Sequence, residues 1–111
     1  MTFILDEYNI IDMLTKNEIK NRIKQNANVL LEYHVNRIGI FGSYVRDMQK
    51  PESDVDLVVD FSDSVTLFQY VHLADSITSF LDHNVDLVTI DGIKPIIREK
   101  ILKEVEWVEG L

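Results

Sequence analysis

Apolar and polar positions change their spacing several times along this chain, and each change marks an element. Ile19, Ile23, Ala27 and Leu30 recur at helical intervals, which predicts a helix over 16–33. Thr15-Lys-Asn-Glu18 in front of it has the form of a capping box, hydroxyl and carboxylate closing the first turn together. RIGIF, 37–41, is a β-branched and aromatic run stopped by Gly42, hence a strand. Ser43 is placed to cap a short helix over 44–48, and Lys50-Pro51-Glu52-Ser53 reads as a loop.

VDLVVDF, 55–61, is the clearest strand. Alternation sets Val55, Leu57, Val59 and Phe61 on one face and Asp54, Asp56, Val58 and Asp60 on the other. A second helix is predicted over 65–81, its apolar stripe made by Leu67, Tyr70, Val71, Ala74, Ile77 and Leu81. NVDLVTI, 84–90, gives a third strand, Asp91-Gly92 a turn, and 94–103 a third helix with Pro95 in its first turn. EVEWV, 104–108, reads as a short closing strand. Residues 1–14 are rich in apolar side chains without a clean period. They read as an arm that packs on this domain or on a partner.

Strands that alternate with helices predict a single α/β or α+β domain over 1–111, a sheet with helices packed on it. The tetrapeptide VDLV occurs twice, at 55–58 and 85–88. If the two strands are neighbours, Asp56 and Asp86 lie side by side.

Composition narrows the function. The 111 residues carry 19 acidic and 11 basic side chains, a net charge of −8. A field of that sign disfavours an extended nucleic acid as ligand. The absence of cysteine rules out disulfides and thiolate metal sites and fits a reducing cytoplasm. The N-terminal stretch lacks the basic leader of a secretory signal, and no apolar run is long enough to span a membrane. A soluble, cytoplasmic protein is therefore expected.

Asp54 and Asp56 stand one residue apart at the start of an otherwise apolar strand. Side chains at i and i+2 on a strand point the same way with Cα atoms about 6.5–7 Å apart. Without a counter-ion, one of the two carboxyls should resist ionising. Mg²⁺ relieves that conflict, since it prefers hard oxygen ligands and commonly takes one or two carboxylates plus substrate phosphates. A third carboxylate on an adjacent strand would admit a second ion and could take a proton from an attacking hydroxyl. Asp86 is the candidate for that place, ahead of Asp82 and Asp91, which fall in expected loops. Upstream, Gly42 allows backbone to approach a ligand closely, Ser43 opens a helix, and Arg46 stands about one turn further on with a guanidinium suited to phosphate. His34, His72 and His83 are scattered without ligand spacing, Trp107 reads as packing, and Asp60 as a solvated carboxylate.

Gly42-Ser43, ten residues, then Asp54-Val55-Asp56 resembles the signature of the DNA-polymerase-β-like nucleotidyltransferase superfamily. G-S-x-x-R together with S-D-x-D-L is similar to its minimal members, small domains often encoded beside a HEPN-domain protein. The resemblance runs from the first helix to the closing strand and implies the superfamily's small mixed sheet. It also implies that Asp54, Asp56 and Asp86 bind the metals and carry catalysis, and that Gly42, Ser43 and Arg46 hold the triphosphate of ATP. The expected activity is Mg²⁺-dependent transfer of AMP to a hydroxyl, typically a tyrosine, of a HEPN toxin, with this chain as antitoxin. One departure stands out: a small residue and Gly usually flank the motif's Arg, and here they are Val45 and Asp47. Larger relatives carry a second domain that presents the acceptor, so here a protein partner or a homo-oligomer is expected to supply it. Two alternatives stay open: an antitoxin that neutralises its partner by binding alone, and a transferase acting on a small hydroxylated molecule such as an aminoglycoside.

Overall fold

A computed structural model describes residues 14–111. Helices α1 (Lys16–Gln25) and α2 (Ala27–Glu32) lead into strand β1 (Val35–Phe41). A single 3₁₀ turn, Gly42–Tyr44, follows, then β2 (Val55–Phe61), α3 (Leu67–Leu81), β3 (Val85–Thr89), α4 (Pro95–Glu104) and β4 (Glu106–Trp107). The arm expected over 1–14 lies outside the described residues except for Leu14, which is buried in the core.

The four strands form one mixed sheet in the order β3-β2-β1-β4. β1 is antiparallel to both β2 and β4, and β2 runs parallel to β3 through the α3 crossover. Ile38 and Ile40 of β1 and Val55, Leu57 and Val59 of β2 meet Ile19 and Ile23 of α1, Leu30 of α2 and Leu73, Ile77 and Leu81 of α3 in one apolar core. Val58, on the opposite face of β2, is also fully buried, so the strand's centre is covered on both sides.

Several sequence expectations need correction. The helix over 16–33 is two helices, broken at Asn26, whose side chain donates to the Arg22 carbonyl at 2.8 Å. Asparagine competes with the helical ladder in this way. Only half of the expected capping box forms there: Thr15 Oγ1 accepts the Glu18 N–H at 3.2 Å, while the Glu18 carboxylate faces Arg22 at 3.6 Å. A complete box occurs instead at Thr66 and Gln69, ahead of α3. The stripe of α3 centres on Leu73, Ile77 and Leu81, and Leu67 and Val71 are exposed. No helix among the described residues is long and apolar enough to cross a membrane.

Candidate active site

The site is assembled where β1, β2 and β3 meet the loops around them. β1 ends at Phe41, whose ladder partner is Asp56. The chain then enters the 3₁₀ turn through Gly42, with φ at +79°. L-residues with a side chain rarely adopt that conformation. A Cβ on Gly42 would also collide with Asp56 Oδ2 and lie 3.1 Å from Asp56 Cγ. The glycine thus does two things at once: it turns the backbone and leaves room for a carboxylate.

Ser43 does not cap a helix over 44–48 as expected. The turn is three residues long, is preceded by Phe41 without a side-chain cap, and uses the Ser43 carbonyl to accept the Met48 N–H at 2.9 Å. Asp47 occupies the left-handed region with φ of 60°. Glycine, the residue the resemblance leads one to expect there, would enter that region without steric conflict.

β2 begins directly after Asp54, and the repeated VDLV segments pair in exact alignment: Val55 with Val85, Asp56 with Asp86, Leu57 with Leu87 and Val58 with Val88. Asp86 therefore stands across the ladder from Asp56. Asp82 is the left-handed C-cap of α3, and the Asp91 carbonyl accepts from Arg98 in the turn after β3. Asp60, expected to be solvated, pairs with Arg37 at 3.5 Å and accepts from Asn36 at 3.2 Å.

The electrostatics centre on Asp56. Its carboxyl is pushed up to about 6, first by burial, then by Asp86 and Asp54, with Glu104 adding to the rise and Arg46 opposing it. Burial and then Asp54 push the Tyr44 hydroxyl upward; burial and then Asp86 do the same to Tyr70.

Two participants, Glu104 and His83, gave no signal in the sequence. Glu104, at the end of α4, accepts the Gly42 N–H through Oε2 at 3.1 Å and pairs with the Arg46 guanidinium through Oε1. His83 Nε2 lies 2.8 Å from the Ser53 carbonyl and 3.1 Å from the Tyr44 hydroxyl. A carbonyl only accepts, so Nε2 carries the hydrogen, and the imidazole ties the segment before Asp54 to the Gly42 turn. None of these contacts is local: Glu104 meets Gly42 across 62 positions and His83 meets Ser53 across 30. Only the folded topology reveals them.

Among the described residues, no three acidic or histidine side chains surround a ready-made cation position. The donor set nevertheless suits a hard cation that brings phosphate oxygens with it. Asp56 and Asp86 are ladder partners, Asp54 is close enough to raise the Asp56 carboxyl, and the missing side chain of Gly42 lets the turn backbone pack directly against the Asp56 carboxylate. Mg²⁺ is usually held in this manner, by a few carboxylates and the substrate, not by an all-protein cage.

Comparison with known families matches residues 17–108 to Polymerase beta, Nucleotidyltransferase. This chain belongs to that family. Among relatives of this nucleotidyltransferase, the protein adenylyltransferase MntA of Thermococcus cleftensis is 38% identical over 97 residues, 86% of this chain and 98% of its own. Among solved structures, a minimal nucleotidyltransferase assignment accompanies one with TM-score 0.74 and 27% identity, covering 84% of this chain and 95% of the other. A toxin–antitoxin crystal structure with AMP-PNP has TM-score 0.67 and 26% identity, covering 83% of this chain and 73% of that one.

Proposed function

We propose that this chain transfers AMP from ATP to a hydroxyl, that of a tyrosine, on a HEPN-domain toxin in the cytoplasm, and so acts as that toxin's antitoxin. The observation that carries the reading is the Gly42 turn set against Asp56, with Asp86 across the ladder. Similarity to a protein adenylyltransferase and to a toxin–antitoxin complex holding an ATP analogue supports the choice of nucleotide and of a protein acceptor.

In this reading the N–H groups of the Gly42-Ser43 turn and the Arg46 guanidinium hold the triphosphate. Asp54, Asp56 and Asp86 would hold Mg²⁺, two ions in this reading, which would supply the positive charge that lets carboxylates and phosphates share one space. Asp86 accepts the proton of the incoming hydroxyl. The acceptor oxygen bonds to the α-phosphorus, the bond from that phosphorus to the bridging oxygen breaks, and pyrophosphate leaves. His83 and Tyr44 fix the backbone at Ser53 and so the position of Asp54. The raised Asp56 carboxyl describes the protein without cations; positive charge beside it would return it to the ionised form.

The test is mass spectrometry of a HEPN-domain toxin after incubation with this protein and MgATP. Addition of one or more AMP groups to a tyrosine is expected, and none with the Asp54→Asn, Asp56→Asn double variant. No addition, or equal addition by the double variant, overturns the reading. Inhibition of the toxin without addition would point to neutralisation by binding.

A further inference from the structure

Glu104 sits at the last position of α4, yet its carboxylate reaches the turn after β1. One oxygen takes the Gly42 N–H at 3.1 Å, and the other takes the Arg46 guanidinium. These are the donors that the proposed function assigns to phosphate. A carboxylate that bridges a turn N–H and a guanidinium offers them what two phosphate oxygens would offer. Gly42 has one backbone hydrogen to give, and a second anion at the same place would meet the first at close range. The Glu104 side chain is 19% exposed, so water screens this competition only in part.

We propose that Glu104 is an internal competitor of the nucleotide: it occupies the phosphate cradle in the nucleotide-free protein and leaves when the triphosphate binds. This rests on the reading of Gly42 and Arg46 as phosphate ligands. The helix that carries Glu104 can yield. No residue of α4 is buried, and Ile96 and Ile97 are 88% and 45% exposed. Releasing the carboxylate therefore disturbs no packed core.

The opposite role for the same contacts is that Glu104 holds Arg46 in place for the nucleotide. The two roles predict opposite signs. Titration calorimetry should compare the wild type with Glu104→Gln and Glu104→Ala, using a non-hydrolysable ATP analogue with Mg²⁺ and, separately, inorganic triphosphate. Both variants remove the charge, and thermal melting verifies that each is folded. An internal competitor predicts dissociation constants about fivefold to tenfold lower in both variants, for both ligands. Unchanged or weaker binding by the folded variants, with the wild type binding normally, overturns the proposal and leaves the nucleotide reading intact. Binding of neither ligand by any of the three proteins overturns the nucleotide reading, and the competitor role with it.

Discussion

Asp56 and Asp86 are ladder partners on parallel strands, each the second residue of an identical VDLV segment. Aligned β-branched and aliphatic neighbours fix this register, because a one-residue slip would turn every side chain of β3 to the wrong face. The core therefore enforces a pairing that electrostatics alone would oppose. Like charges across a ladder destabilise a sheet. Such local conflict within an otherwise consistent fold is characteristic of functional positions.

The conflict has a measurable pH signature. Asp56 has its carboxyl raised from the ordinary 3.8 to about 6 in the folded protein. A raised acid holds its proton more tightly folded than unfolded, so its contribution favours the fold below about pH 4 and is lost as pH rises through about 6. Asp56→Asn removes the loss. In metal-free buffer the variant should melt above the wild type at pH 7, by about 1 kcal/mol once the shift is discounted for partial exposure. The difference should vanish near pH 4. Equal melting curves at pH 7 would refute the buried conflict.

Gly42 and Gly110 provide a matched pair. Both have positive φ, +79° and +82°, but a Cβ on Gly42 meets Asp56 whereas one on Gly110 meets nothing within 4 Å. Gly110→Ala should carry backbone strain alone, about 1 kcal/mol. Gly42→Ala adds a collision and should lose about 2–3 kcal/mol by urea unfolding. It should also abolish binding of an ATP analogue, which Gly110→Ala should leave unchanged.

Asp47 stands where the resemblance leads one to expect glycine, and it holds φ at 60°. Aspartate tolerates the left-handed region better than most residues, yet glycine enters it without steric conflict. Asp47→Gly relieves that strain and gives back part of the gain through the greater freedom of the unfolded chain. The net expectation is about 0.5 kcal/mol of added stability, seen as a rise of about 2–4 °C in melting temperature. The variant also removes a negative charge one residue from Arg46, so ATP-analogue affinity should rise. A lower melting temperature would show that the Asp47 side chain supports the turn.

How much of this could be read from residues alone depends on range. The strands, the α3 crossover and the VDLV pairing were legible because alternation and repetition are local properties of the sequence. The break at Asn26 was not, because Ile19, Ile23, Ala27 and Leu30 keep helical spacing through it. Among the candidate site residues, Gly42, Asp56 and Asp86 are brought together, while Arg46 proves to be engaged by Glu104. That engagement, like the His83 contact with Ser53, joins segments that only the sheet order places side by side.

The stripe of α3 shows the same limit within one helix. Leu67 and Leu73 both satisfy an apolar pattern, but Leu73 is 0% and Leu67 76% exposed. Spacing identifies a face without saying how far along the helix the sheet covers it. Leu73 faces the core shared with Ile77, Leu81 and the β2 valines, so Leu73→Ala leaves a cavity that rigid neighbours cannot close. A loss of about 3 kcal/mol is expected by urea denaturation, with the slope unchanged. Leu67→Ala removes a side chain already in water and should stay within about 0.5 kcal/mol of the wild type. Equal losses at the two positions would mean that the first turn of α3 is covered in solution, and that its exposed Leu67 and Phe68 meet a partner surface under the conditions of the measurement.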